Sequence, residues 1–157
     1  MLDLITDRTI RDVTRRNALA QKGWANMSSS ERTEWLTGSA AKGSYNYTDL
    51  NRVESAVGYL NDQLLSCGYS ADIHPVRAWT ATDVPTIGDM ARYLDNIRAI
   101  RRVLPVLGTT PSVPASMSKL TYSAANDIEE ILRDVETLVN NMIASFHYCG
   151  EIYGGEI

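Results

Sequence analysis

Two cysteines in 157 residues, Cys67 and Cys149, are too few for a disulfide framework and lack the CxxC spacing of a zinc site. Histidine is as sparse. His74 and His147 have no cysteine or carboxylate at metal-ligand spacing, so neither a metal nor any other cofactor is expected. A basic excess is also missing: 15 Lys and Arg against 19 Asp and Glu leave a net charge of −4 and a pI of about 5.1. Nucleic acid and anionic membrane surfaces both require a positive field, so neither is an expected partner. No apolar run approaches a membrane span, and Met1–Ile5 has neither the basic region nor the apolar stretch of a signal peptide. Synthesis in the cytosol is the corresponding expectation. Phosphate loops, dinucleotide fingerprints, nucleophile elbows and HExxH are all absent, and a non-enzymatic protein is expected.

What remains is ordinary globular composition, 44% hydrophobic and 22% charged, in a chain long enough for one domain with its own core. The most informative stretch is Tyr45 to Leu60. Thr48 reads as an N-cap, Asp49 places a negative charge in the first turn, and Leu50, Val53, Val57, Leu60 and Leu64 recur at steps of three and four. The same chemistry returns half a chain later, where Tyr122 to Glu129 aligns with Tyr47 to Glu54 and keeps Tyr, the hydroxyl cap, Asn and Glu in register. An internal duplication explains the match, and so does convergence of two amphipathic helices. Asn51 and Asn126 read either as first-turn caps or as polar core residues that fix register.

Five helices follow from the pattern. The first starts at Thr6 or Asp7 and runs to about Lys22 beneath many arginines. Ser28 with Glu31 forms a capping box for a short second helix that Gly38 closes, and residues 37–44 read as a flexible linker. The third covers about 48–67. Residues 69–85 hold no period and form a long irregular connection anchored by Trp79, until Thr86 and Asp89 cap a fourth helix that stops before Pro105. The fifth, about 122–147, carries Ala125, Ile128, Leu132, Val135, Val139, Met142 and Phe146 at steps of four and three, which argues for shallow crossing angles. Its carboxylates, Asp127, Glu129, Glu130, Asp134 and Glu136, read as a solvated face. Arg98, Arg101 and Arg102 complement the end of the fourth helix and pair with that face.

The predicted fold is thus an all-α bundle of about five helices, three of them long core helices, in one domain spanning residues 1–157. Residues 1–5 and 150–157 are expected as strand-like extensions that form a short β-ribbon, the tail otherwise being a frayed end. Tyrosines cluster at helix starts and in the tail, and Trp79, Tyr148, Ile152 and Tyr153 are the candidate protein-interface residues.

The strings Ile5–Thr9, Gly43–Glu54 and Gly150–Tyr153 resemble a module of phages and prophages of Gram-positive bacteria. The resemblance extends over nearly the whole chain and implies a tail or minor structural protein of the virion. Its partners would be other phage structural proteins or further copies of itself, and it names no catalytic residue. One rival expectation is a cytosolic adaptor that binds a partner helix, which would leave an apolar stripe exposed on the first or fourth helix, and the other is a carboxylate-metal enzyme.

Overall fold

The computed structural model describes residues 1–74 and 78–151, with the backbone alone for 147–151. It is all-α: α1 (Ile10–Lys22), α2 (Ser29–Thr37), α3 (Ser39–Lys42), α4 (Tyr47–Ser66), α5 (Ile87–Val103) and α6 (Tyr122–Glu151), with one 3-10 turn at Trp24–Asn26. Among the described residues there are six helices rather than five, because the small residues expected as a flexible linker wind into α3. Among the described residues there is no strand.

Local chemistry sets the helix starts. Capping boxes open α1 at Thr9 with Asp12, α2 at Ser28 with Glu31 and α5 at Thr86 with Asp89. The cap of α4 is Asn46 with Asp49, not Thr48; its carbonyl oxygen accepts from the Thr48 N–H at 2.8 Å, and the Asp49 carboxylate accepts from the Asn46 N–H at 2.9 Å. Thr121 caps α6 by accepting from the Ala124 N–H at 3.1 Å. The first helix begins at Ile10 rather than after Thr6, since Arg8 is occupied elsewhere.

Counted from these caps, the three long helices share one pattern. The fourth, seventh, eleventh and fourteenth residues are Leu50, Val53, Val57 and Leu60 in α4, Met90, Tyr93, Ile97 and Ile100 in α5, and Ala125, Ile128, Leu132 and Val135 in α6. All but the half-buried Met90 are buried, and all of these but Ala125 join Leu64, Trp79 and Val139 in the main core, against which Met90 packs. The match seen between α4 and α6 therefore extends to α5.

The three helices run parallel. Leu50, Ile87 and Leu120, each near a helix start, line one cleft, while Ala71, just past α4, lies beside Arg102 at the end of α5. Parallel neighbours need connections that travel back along the bundle. The 20 residues of α4 span about 30 Å at 1.5 Å per residue, which roughly nine extended residues can retrace. Three non-helical arms make these returns: arm 1 (residues 1–9), arm 2 (described at 67–74 and 78–86) and arm 3 (residues 104–121). Each precedes one long helix and lies against another. Arm 1 follows α6, arm 2 follows α4, and arm 3 follows α5.

Between arm 1 and α4 the chain inserts α1, α2 and α3, which pack on one another around Leu19, Met27 and Ala40, with Trp35 partly covered. The Arg16 guanidinium lies over the Trp35 ring. Gly43 closes this unit on α1: a Cβ there would lie 2.1 Å from the Asp12 carbonyl oxygen, so no larger residue fits without backbone movement.

The arms are held by asparagine side chains. Asn126 accepts from the Arg8 N–H at 3.1 Å and donates to the Arg8 carbonyl at 2.9 Å. Asn51 does the same for Trp79, at 2.7 and 2.8 Å. Both stand fifth from their caps, so neither of the two roles read from sequence applies, and the two residues do not face each other. Removing either amide orphans a backbone donor and acceptor, and Asn126→Ala and Asn51→Ala should each cost about 2 kcal/mol. Their sites share no partner, so the double variant should be additive within about 0.5 kcal/mol in urea unfolding. Strong coupling would show that the two grooves act as one unit.

Candidate functional site

Two features stand out beyond packing: a buried ionic cluster and an apolar cleft. The cluster begins at Glu129, read from sequence as solvated and in fact fully buried. Its Oε1 accepts from Arg8 Nη2 at 2.6 Å and Arg52 Nη2 at 2.7 Å, and its Oε2 accepts from the Ile5 N–H at 2.6 Å and Arg52 Nε at 2.9 Å. Asp49 Oδ1 accepts from the same two guanidinium groups at 3.0 and 2.5 Å. Two cations and two anions balance, which a site this dry requires. Arg8 also donates to the Ile5 carbonyl at 2.6 Å, and its guanidinium lies 5.5 Å from the centre of the Tyr45 ring. The Glu136 carboxylate, likewise buried, accepts from the Leu2 N–H at 2.8 Å. Of the carboxylates expected on a solvated face of α6, Glu129 and Glu136 are instead buried against arm 1, and Asp134 accepts from the Thr110 hydroxyl of arm 3 at 2.5 Å.

The same logic recurs one interface on, where Arg92 of α5 donates to buried Glu54 of α4 at 2.6 Å. Arg52 and Arg92 are both sixth from their caps, and Glu129 and Glu54 are both eighth. The expected pairing of Arg98 and Arg101 with α6 is not what forms. Arg98 donates to the carbonyl of Pro114 and to Asp95, and Arg101 donates to the carbonyls of Pro111 and Thr110, so both fasten arm 3. Arg102 is exposed.

Beside this cluster the Tyr45 and Tyr93 hydroxyls lie 2.5 Å apart. Burial raises the pKa of both, and each is raised further by neighbouring carboxylates. Tyr45 also lines the cleft, which measures about 710 Å³ and lies between α5 and residues 115–120. Its walls are mainly apolar: Leu50, Ile87, Met90, Ala91, Leu94, Met117 and Leu120. Ile87 is 92% exposed at the rim, so α5 does leave an apolar residue bare.

The candidate interface residues fall apart as a set. Trp79 is 3% exposed and packs inside its own core, anchoring arm 2 as expected but leaving no face for a partner. Tyr148 lies in α6 with its side chain outside the described residues, and Ile152 and Tyr153 lie outside them altogether. Gly150 and Glu151, expected in a strand-like tail, continue α6. The arm at 1–5 takes its hydrogen bonds from α6 side chains rather than from a second strand. Cys67 is a half-buried free thiol. Among the described residues no group of three or more His, Cys, Asp or Glu is arranged to hold a metal ion, and no helix is long and apolar enough to cross a membrane.

Two outcomes follow from the buried chemistry. Glu129→Gln leaves two buried guanidinium groups facing one anion and should cost about 3 kcal/mol or more, whereas Glu34→Gln, at a part-exposed pair with Arg15, should cost less than about 1 kcal/mol in the same unfolding assay. For the tyrosine pair the sign is opposite to that of a carboxylate. The folded state favours the neutral phenols, so their contribution is complete below the unfolded pKa of about 10 and is lost as pH rises above it. Absorbance at the tyrosinate band should show a late step, absent from Tyr45→Phe and Tyr93→Phe; ionisation of all tyrosines together near their ordinary value would contradict it.

No protein-family model matches the chain, and no curated protein or solved structure shows significant similarity to it.

Proposed function

We propose that the chain is a non-enzymatic structural or association module of a phage virion, made in the host cytoplasm and joined to other virion proteins or to further copies of itself. The supporting observation is one group among its uncovered apolar side chains. Leu65, Tyr69 and Phe146 are 52%, 40% and 58% exposed, and parallel packing places the ends of α4 and α6 at one end of the bundle. The chain continues from there into Tyr148, Ile152 and Tyr153, the candidate interface residues that Trp79's burial leaves in place. Its charged groups support the same reading, because Glu129, Asp49, Glu54 and Glu136 are committed to holding arms and helices together.

A second reading has its own observation. Ile87 and the cleft behind it suit an adaptor that takes a partner helix in an apolar groove. Location separates the two: a virion module co-fractionates with particles, and an adaptor stays in the particle-free supernatant.

Deleting residues 150–157 should weaken association while leaving far-UV helicity nearly unchanged. Phe146→Ser should act in the same direction. Sedimentation velocity over a concentration series and co-fractionation with particles are the measurements. Association unaltered in both variants would overturn the role given to this end of the bundle.

A further inference from the structure

We infer that two copies of the chain join end to end through the overhanging last part of α6, the two overhangs lying antiparallel with Phe146 beside the two-fold axis. This rests on the association-module reading and names the partner as a second copy. The three long helices start level but do not end level. Arg52, sixth in α4, meets Glu129, eighth in α6, and Leu50, Ile87 and Leu120 line one cleft near the three starts. From there α4 runs 20 residues, α5 runs 17 and α6 runs 30. The last ten residues of α6 therefore stand beyond α4, over a length of about 15 Å at 1.5 Å per residue.

The apolar stripe of α6 does not stop where its neighbours do. Val135 and Val139 are buried in the main core, Met142 is half-buried, and Phe146, next on the same spacing, is 58% exposed. The seam that α6 shares with α4 and α5 is thus continuous with a stripe facing the space directly past their ends. A helical stretch this short is marginal in water without something to pack on.

Geometry and charge both identify the occupant. A second copy laid parallel would drive residues 122–141 of its own α6 into the first copy's α4 and α5, whereas an antiparallel copy enters from the open side with its bundle clear. One two-fold axis then lays each overhang across the other copy's α4 and α5 ends, and the midpoint of the ten-residue overlap falls next to Phe146. Copies with a net charge of −4 repel one another. That repulsion is least at this end, because the stretches that close the three helices, residues 63–71, 103–109 and 137–150, contain no Asp, Glu, Lys or Arg. In the recess beside them Asp72 and Asp95 balance Arg98 and Arg102.

The test uses the full chain. Sedimentation velocity over a concentration series should show a monomer–dimer equilibrium that added salt leaves unchanged or strengthens, and solution scattering should show a dimer much longer than the monomer. Phe146→Glu and Phe146→Lys should each weaken the dimer about tenfold or more, with far-UV helicity intact because the residue is exposed. An equimolar mixture of the two variants places opposite charges across the axis and should recover a heterodimer. Leu36→Glu, at an exposed leucine of α2, should leave the dimer as it is. Four results would overturn the inference: a monomer at every concentration, a dimer that persists in both charged variants, a mixture no more dimeric than its parts, or a dimer no longer than the monomer. A monomeric chain that still co-fractionates with particles would overturn this inference and leave the virion reading standing.

Discussion

The Glu129 carboxylate is the interaction on which the rest of the bundle turns. A carboxylate with no solvent exposure is tolerated only when its oxygens are met by donors, and here four donors meet it from two other parts of the chain. Arg52 ties it to α4, and the Ile5 amide with the Arg8 guanidinium ties it to arm 1. One buried charge therefore fixes the spacing of α4 and α6 and the path of the first nine residues. Because α1 begins two residues after Arg8, it also determines where the separate unit of α1, α2 and α3 is suspended.

Parallel packing explains features that would look wasteful in an antiparallel bundle. Short turns cannot join parallel helices, so 20 residues separate α4 from α5 and 18 separate α5 from α6. Those residues are put to use as the filling of the grooves between the helices. The repeat is complete in the seams of the core and incomplete in its polar contacts. Sixth-position arginine meets eighth-position glutamate at two interfaces, and asparagine clamps an arm in two grooves. Both devices lapse at the interface of α5 and α6, where Ala91, Leu94 and Asp127 stand.

Much of this was legible in the chain itself, and the remainder was hidden for identifiable reasons. Capping boxes at Ser28 and Thr86 and the apolar periods of the long helices are local signals, and they gave the all-α class and most boundaries. The match between Tyr47–Glu54 and Tyr122–Glu129 was visible, and its identical Asn and Glu are the arm clamps and the ion-pair acceptors. Their function was not visible. A glutamate on an amphipathic helix looks solvated unless its partners are known, and the partners of Glu129 lie 77 to 124 residues away. Helix direction was hidden likewise, since a 3.5-residue period suits parallel and antiparallel seams equally. The α4 cap was misplaced because Asn46 and Thr48 are both competent caps two residues apart. Trp79 was recognisable as an anchor, yet its side chain serves the fold and not a partner.

The hydrogen bonding of arm 1 shows most directly how the architecture works. Residues 1–5 alternate in sequence, and their Leu2 and Ile5 amides are met by carboxylates of α6. A primary amide offers one carbonyl and one N–H pair in nearly the geometry of a backbone peptide group, so an asparagine on a helix can take the place of a neighbouring strand for a single residue. Carboxylates at the eighth and fifteenth positions extend that substitution to the Ile5 and Leu2 amides. The arm thus meets the accounting that buried backbone demands without a sheet, using a ladder whose rungs are side chains. Such a ladder is specific in a way a strand edge is not, because each rung is a separate residue choice that substitution can delete. Where α5 carries Ala91 and Leu94 two of those rungs are absent, and arm 3 is fastened instead by Arg98 and Arg101, which donate to the Pro114 and Pro111 carbonyls.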